Sequence, residues 1–267
     1  METLKLGPIE VSRFILGGNP MSGNSHQSSD VDRRMRDYFT TAQCKRLLRD
    51  AGSLGVNTFL SRCDRHMQRL LIEYQNEGGR VTWIAQTCPE FDTWQCSIDH
   101  AFYGGAKACY IHGGMMDHFL ANDRLKEIPP VVEMIRNTGM AVGIAAHLPE
   151  VFDWAERETD VDFYMCSYHN PSRRDKSPML KGFAETFSSE DRRRMVERIA
   201  TLSRPAIHYK VLAAGRKPPE EAFEFVAKHL RPQDAVCVGI YDEDDPSMLS
   251  HDVSCFENSL ARTRAGT

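Results

Sequence analysis

Residues 205–216, PAIHYKVLAAGR, carry the pattern from which the fold can be worked out. Ala, Ile, Tyr, Val and Leu indicate a buried strand, and Gly215 indicates the turn that ends it. His208 and Lys210 interrupt this apolar run two residues apart. Because alternate residues of a strand point to the same side, we expect the imidazole and the ammonium to face one way at the end of a core strand.

Seven further apolar runs of the same kind occur along the chain. They are enriched in β-branched and aromatic residues, and most are bounded by Gly, Pro or Asp, as strands are. The eight runs are SRFILGG (12–18), VNTFLS (56–61), VTWIAQT (81–87), ACYIHGG (108–114), MAVGIAAH (140–147), VDFYMCSY (161–168), AIHYKVLAAG (206–215) and AVCVGIY (235–241).

Longer amphipathic segments with helix-capping residues alternate with these runs. Pro129 and Pro130 are expected to break the first turn of one such segment. The polar stretch 22–37, SGNSHQSSDVDRRMRD, predicts either a lid or a mobile insert. The segments with the clearest helix signals are 40–55, 122–139, 188–203, 217–232 and 245–263.

This alternation predicts the fold class. Eight strands and about eight helices within 267 residues match a single (β/α)₈ TIM barrel, an α/β domain spanning residues 1–267. A doubly wound open sheet is the alternative. It would carry a GxGxxG turn after its first strand, which LGGNPMSG does not match.

Composition and charge exclude several classes of function. The net charge of −4 gives no basic surface for nucleic acid, and no apolar run approaches the roughly 20 residues that cross a bilayer. The first residues, METLKLGPIE, lack the regions of a signal peptide. Eight cysteines without a CxxC pair indicate reduced thiols. We therefore expect a cytoplasmic protein with a small-molecule substrate. The oligomeric state stays open.

Histidines lie near the ends of four consecutive predicted strands. They are His112, His147, His169 and His208. Barrel active sites form where strands end and βα loops begin, so we predict that at least two of the four belong to an active site. The position of each histidine in the alternation of its strand is uncertain by one residue, and a shift of one residue turns a side chain to the other face. Which of the four face inward therefore stays open.

Polar residues at the other strand ends complete the candidate site. Imidazole groups suit proton transfer near neutral pH, or the binding of a transition metal. We predict catalytic roles for His112, His208, Lys210, Asp64 and His66. We predict substrate contacts for Asn19, Arg62, His147, His169, Tyr209 and Arg216.

Two interpretations of Lys210 stay open. Burial near other positive groups would lower the pKa of the amine and favour a base or Schiff-base nucleophile. Alternatively, the ammonium binds a carboxylate or a substrate anion. The turn after this strand, LAAGRKPPEEAF, adds Arg216 and Lys217 before a helix that starts at prolines, which predicts either an anion site or a solvated basic turn.

A divalent metal ion is an open expectation. Zinc and manganese bind imidazole together with carboxylate, and geometry rather than spacing identifies such sites. The candidates are His112, His147 and Glu150, of which the last two share the turn H-L-P-E. The chain contains no HExxH motif.

Several segments, in order and with their spacing kept, resemble the aldo-keto reductases. The similarity covers nearly the whole chain. The opening LKLGPIEVSRFILGGNPMSG resembles that family's N-terminal hairpin and first strand. The other similar segments are GVNTFLS, ACYIHGG, AVGIAAH, DFYMCSYHNP, HYKVLAAG and CFENSL.

The departures from this family concern its chemistry. The family reduces carbonyls with a nicotinamide cofactor and a Tyr, Asp, Lys and His tetrad. At the matching positions stand Arg65 or His66 for Tyr, Leu60 for Asp, Gln86 or Thr87 for Lys, and His112 for His. The cofactor-binding positions carry Ala145, Ala146, Met165 and Lys210-Val211-Leu212, and the basic segment is DEDD at 242–245. Tyr209, Glu257 and Asn258 match the pattern.

These departures argue against an NAD(P) cofactor, because Leu60 and the alanines can neither donate a proton nor orient a nicotinamide. Three readings of the function follow. The first is a non-redox isomerase, epimerase or lyase that acts on a small carbonyl-bearing substrate such as a sugar or keto acid. The second is a divergent nicotinamide-linked oxidoreductase with His66 or His112 in place of the tyrosine. The third is a catalytically silent binding barrel.

Overall fold

The computed structural model describes residues 1–179 and 185–266. An antiparallel hairpin, β1 (Thr3–Leu6) and β2 (Ile9–Ser12), precedes a closed barrel of eight parallel strands. The barrel strands are β3 (Phe14–Gly17), β4 (Thr58–Arg62), β5 (Thr82–Gln86), β6 (Ala108–Ile111), β7 (Ala141–Ala146), β8 (Phe163–Ser167), β9 (Ala206–Tyr209) and β10 (Ala235–Gly239). Each lies within a predicted run except β4, which extends one residue beyond its run, to Arg62. Strand β10 pairs with β3 and closes the cylinder. The predicted (β/α)₈ barrel is confirmed.

Helices connect the strands and surround the barrel. They are α1 (Ser29–Tyr38), α2 (Thr41–Ser53), α3 (Arg65–Asn76), α4 (Trp94–Tyr103), α5 (Gly113–Ala121), α6 (Pro129–Arg136), α7 (Pro149–Glu158), α8 (Ser189–Ile199), α9 (Pro219–His229) and α10 (Met248–Ala265). As expected, the helix predicted over 122–139 begins only at Pro129, after a 3₁₀ turn.

Helix α1 occupies the polar stretch for which a lid or an insert was predicted. Ser28 caps it by accepting from the Val31 N–H. Its Arg34 pairs with Glu243 and Asp244 in the acidic segment after β10. Ion pairs of this chain thus neutralise part of the DEDD segment.

The core has two layers. A large cluster fills the space between the barrel and its helices, and a smaller one fills the cylinder. Leu6 and Val11 of the hairpin pack in the inner cluster with Ala141 and Ala235, the first residues of β7 and β10. The hairpin therefore closes the N-terminal end, and the opposite end is the open mouth.

The structure corrects the expected catalytic role of His208. Ile207 packs in the inner cluster, whereas His208 is fully buried on the outer side of β9. Its ring contacts the Tyr168 hydroxyl at 2.8 Å and the Asp234 carboxylate at 3.3 Å. Arg231 donates to the same carboxylate at 2.8 Å. This buried network fixes β9 against the start of β10, so His208 is a structural residue.

No helix among residues 1–179 and 185–266 is long and apolar enough to cross a membrane. The eight cysteines, all within these residues, are unpaired.

Replacing Asp234 with alanine removes the acceptor shared by His208 and Arg231. Since removing one partner of a buried ion pair costs about 3–5 kcal/mol, we expect the free energy of unfolding to fall by about that amount in urea titrations. The matched control, Lys228→Ala, breaks an exposed ion pair on α9 and should change it by less than about 1 kcal/mol. Equal effects of the two variants would contradict this role of Asp234.

Candidate functional site

The mouth of the barrel holds a cleft with two adjoining lobes. Their volumes are about 700 and 320 Å³. The larger lobe continues along the loops after β9 and β10, and the smaller one lies above β6 and β7. Both lobes are lined by Asn19, Asn24, His26, Arg62, Gln86, Tyr110, Tyr209 and Lys210.

A hydrogen-bonded row of three residues lies in the smaller lobe. His147 follows β7, and its Nδ1 lies 2.6 Å from the buried Asp117 carboxylate of α5. The backbone N–H groups of His147 and Leu148 donate to the same carboxylate, which fixes it in place. On the other side, His147 Nε2 lies 3.4 Å from the Tyr209 hydroxyl. The row therefore joins a buried carboxylate to two groups that face the cleft.

Burial sets the protonation of this row. It raises the pKa of Asp117 to about 7, although the charge of Arg174 and the two backbone donors oppose the rise. Burial and the charge of Lys210 lower the pKa of His147 well below its usual value. Burial also raises the pKa of Tyr209. With one proton held between Asp117 and Nδ1, the Nε2 atom is free to act as a base, while Tyr209 keeps its proton.

Two glycines allow α5 to start beside this row. A Cβ at Gly113 would lie 3.2 Å from the Tyr209 hydroxyl. One at Gly114 would lie 2.3 Å from the Pro178 carbonyl oxygen, a distance that real Cβ atoms do not reach. The pair Gly-Gly in IHGGMMD thus permits the close packing that brings Asp117 to His147.

Lys210 enters the cleft because of its backbone conformation. It has φ of 57°, in the left-handed region, so the strand alternation ends at Tyr209. Its Nζ lies 3.1 and 3.2 Å from the two carboxylate oxygens of Glu185. Burial lowers the pKa of Lys210, and the Glu185 charge opposes that fall. The expectation that His208 and Lys210 point the same way is therefore wrong.

Glu185 is the centre of a second polar group in the cleft. Its Oε1 also contacts His26 Nδ1 at 2.9 Å and accepts from the Asn170 amide at 2.8 Å. Burial opposes ionisation of Glu185, but the hydrogen bond from His26 and the Lys210 charge hold its pKa at about 2. The side chain amide of Asn19 contacts the far nitrogen of His26 at 3.1 Å, which places Asn19 in the cleft as predicted.

Arg62 and His112 are the other predicted residues in the mouth. Arg62 Nε donates to Asp64 at 3.0 Å, and its guanidinium also contacts Glu90. His112 lines the smaller lobe, and its Nδ1 is buried with no hydrogen-bond partner within the described residues. Burial and the neighbouring His147 lower its pKa well below the usual value, so it is a neutral imidazole.

Four predicted residues lie outside the cleft or at its edge. His66 is exposed on α3, while Asp64 caps that helix by accepting from the Met67 N–H. His169 is buried against Phe187. Arg216 stacks on the same ring at the edge of the larger lobe. The expected catalytic positions of Asp64 and His66 and the expected substrate contact of His169 are therefore corrected, because these side chains do not line the cavity.

The predicted metal set does not converge. Glu150 lies on α7 and pairs with Arg194, with both side chains about half exposed. The carboxylate next to His147 is instead Asp117. The expectation of a metal bound by His112, His147 and Glu150 is therefore corrected by the placement of Glu150.

Sequence reasoning missed four residues of the site. Asp117 lies on α5 after the Gly-Gly pair, and that pair is the one signal in the sequence that could have marked it. Arg174 and Glu185 come from the segment after β8, and His26 comes from the stretch before α1. These three lie in segments without strand or helix periodicity, so no pattern marks them.

The fold and the mouth together define the class of protein. It is a (β/α)₈ barrel whose C-terminal mouth gathers titratable groups around a cavity, as barrel enzymes do.

The chain is similar in structure to solved aldo-keto reductases. A putative aldo-keto reductase from Pseudomonas aeruginosa superposes with a TM-score of 0.66 at 20% identity over 97% of this chain and 96% of that one. The holo form of an aldo-keto reductase from Bacillus halodurans superposes with a TM-score of 0.63 at 12% identity, over 98% of this chain and 96% of that one.

The wider structural neighbours include an aldolase. For an archaeal fructose 1,6-bisphosphate aldolase the TM-score is 0.50 and the identity 13%, with 93% of each chain covered. The sequence matches no protein-family model and has no significant similarity to a curated protein. The predicted resemblance to aldo-keto reductases is thus confirmed for the fold, and identities this low carry no activity across.

Glutamine at position 185 should make stability less dependent on pH. The pKa of Glu185 is about 2 in the folded protein, below its ordinary 4.5, so the carboxylate stabilises the fold above about pH 4.5. That contribution disappears as the pH falls towards 2. Urea unfolding should show Glu185→Gln less stable than the wild type at pH 7, with the difference shrinking between about pH 4.5 and 2.

The control for this measurement is Glu150→Gln, at an exposed ion pair on α7. It should differ little from the wild type at any pH. If the difference in unfolding free energy between the wild type and Glu185→Gln stays constant down to pH 2, the low pKa of Glu185 is contradicted.

Proposed function

We propose that this protein is a non-redox enzyme that moves a proton beside the carbonyl of a small polar substrate. The reaction class is an isomerase, epimerase or lyase acting on a sugar or keto acid. The observation that carries the proposal is the row of Asp117, His147 and Tyr209 at the wall of a cavity of about 320 Å³.

In this proposal His147 is the catalytic base. Asp117 holds the Nδ1 proton, which leaves Nε2 able to take a proton from the carbon next to the carbonyl. The electron pair of that C–H bond moves to the carbonyl and forms an enolate. Tyr209 then returns a proton to the substrate and recovers one from His147, so the protein ends in its starting state.

Lys210 and Arg62 supply positive charge for the enolate oxygen. Preorganised charge in a buried site is the largest contribution to many such reactions. Glu185 keeps Lys210 in its ammonium form, since both carboxylate oxygens lie within 3.2 Å of Nζ. This pairing supports an electrostatic role for Lys210 over a Schiff base, which needs the neutral amine.

The residues of the cleft support chemistry without a nicotinamide. Leu60 packs inside the barrel, where the reductase pattern has its Asp. Ala145 and Met165 line the cleft where that pattern has a serine and a glutamine that bind the nicotinamide. None of the three can orient a nicotinamide or donate a proton to an alkoxide. The proposed reaction therefore uses no NAD(P).

The second candidate is a divergent nicotinamide-linked oxidoreductase. The larger lobe favours it, because about 700 Å³ extends from Tyr209 past Arg216 towards the start of α9. A fluorescence titration with NADPH separates the two candidates. Saturable quenching by NADPH would favour the oxidoreductase and overturn the non-redox proposal.

Exchange of substrate hydrogen with solvent tests the proposed base. Wild-type protein in D₂O with a panel of aldoses, ketoses and 2-keto acids should introduce deuterium beside the carbonyl of its substrate, detected by NMR. Because a positioned base contributes about 10²–10⁴-fold, His147→Gln should slow exchange by about that factor. Tyr209→Phe should allow proton removal but slow net conversion.

The control for the exchange experiment is His66→Gln, at an exposed imidazole on α3. It should exchange at the wild-type rate. Undiminished exchange in His147→Gln would refute the assignment of the base. A wild-type protein that binds members of the panel without exchanging hydrogen would favour the third reading, a binding barrel.

Asp117 acts through His147 and is a positioning residue. In Asp117→Asn the amide can donate to Nδ1, which moves the imidazole proton to Nε2 and removes the base. We expect kcat to fall with little change in KM, together with a shifted pH profile of kcat, since the pKa of Asp117 is about 7. A lower kcat with an unmoved pH profile would indicate a purely structural role.

A further inference from the structure

A second group of ligand-type side chains lies at the outer edge of the larger lobe. Glu220 is in the first turn of α9. His251 and Cys255 are four residues apart on α10, so they share one face of that helix. Glu220 Oε1 lies 3.2 Å from His251 Nε2 and 3.9 Å from Cys255 Sγ. The distance between His251 Nε2 and Cys255 Sγ is 3.5 Å. Three potential donor atoms thus converge from two helices.

These distances have the size that one zinc ion requires. With Zn–N and Zn–O bonds of about 2.0 Å, Zn–S of about 2.3 Å and tetrahedral angles, the N–O edge is about 3.3 Å and the two edges to sulfur are about 3.5 Å. The three observed edges each agree within about 0.4 Å, which the rotamers of exposed side chains can absorb. Within the described residues this is the one group of His, Cys, Asp and Glu with such convergence.

We propose that Glu220, His251 and Cys255 bind one zinc ion. The mixed thiolate, imidazole and carboxylate set suits a borderline-soft ion and disfavours magnesium, calcium and manganese, which prefer oxygen ligands. Three protein ligands leave the fourth tetrahedral position to water, on the side that faces solvent. This site is independent of the proposed proton-transfer function.

The ion would connect two helices at the edge of the cleft. Residues 210–218 form the loop that leads from β9 to α9, and Arg216 and Pro218 line the larger lobe. His251 lines the same lobe. Zinc held between Glu220 and α10 would therefore brace the end of this loop and the outer wall of the larger lobe.

The competing explanation is an exposed ion pair between Glu220 and His251 with a thiol nearby by chance. The side chains of these two residues are 63% and 49% exposed, and an exposed pair of this kind contributes little to stability. Under that explanation Cys255 has no role. A dependence of metal binding on the Cys255 thiol therefore distinguishes a zinc site from an exposed ion pair.

Cobalt and zinc titrations of tag-free, chelator-treated full-length protein test the site. Cobalt should produce one equivalent of a near-ultraviolet thiolate-to-metal absorption that zinc abolishes. Zinc affinity, measured by competition with a chromophoric chelator, should exceed magnesium affinity by many orders of magnitude. Since loss of an outer-shell partner already costs about 10–100-fold, Cys255→Ser and His251→Gln should each weaken zinc binding by at least that factor.

The matched control is Cys96→Ser, which removes the other cysteine that is not buried. It should bind zinc as the wild type does. Circular dichroism spectra should be unchanged in all variants, and Glu220→Gln provides a second measurement if either α10 variant fails to fold. Wild-type affinity in Cys255→Ser, or a cobalt complex without thiolate absorption, would overturn the proposal, while the proton-transfer function would be unaffected.

Discussion

The alternation of side chains around a closed barrel is the constraint from which the rest of the molecule follows. On each strand one set of residues fills the cylinder and the other packs under the helices. Ile207 and Tyr209 belong to the first set, and His208 belongs to the second. The mouth is therefore formed by the residues at the strand ends whose side chains point into the cylinder, together with residues of the loops that cover the strand ends.

Charge pairing is the second constraint, because buried charges are costly unless each has a partner. Lys210, Arg62 and Arg174 line the smaller lobe, close to the carboxylate of Glu185 and the buried carboxylate of Asp117. Lys210 pairs with Glu185, Arg174 Nε lies 3.5 Å from Asp117, and Arg62 pairs with carboxylates at the rim. Such a network permits several charged groups in a small cavity, because each has a partner that offsets the cost of its burial.

The shape of the barrel and the residues of its mouth depend on different parts of this chain. The outline superposes on solved aldo-keto reductases over nearly the full length, and the hairpin that closes the N-terminal end is part of that outline. Inside the mouth stand Leu60 and Ala145, at positions for which the resemblance implies polar groups. A barrel tolerates varied residues at its strand ends because its stability comes from the two core layers.

The sequence by itself determined the elements and their order. Runs with strand character separated by capped helices specify eight βα units, and Pro129 specifies where α6 begins, because these signals depend only on neighbours along the chain. It also placed Asn19, Arg62, His112, His147, Tyr209 and Lys210 at strand ends. Tertiary structure alone decided which of these groups meet. His208 lies on the outer side of the barrel, and Lys210 points into the cleft because its own backbone is in the left-handed region. Asp117, Glu185 and His26 reach the mouth from segments far apart in the chain. The physical reason is that local patterns encode the type of element and its buried side, whereas the direction of a side chain at a strand end depends on the register of the closed barrel and on the loops folded over it.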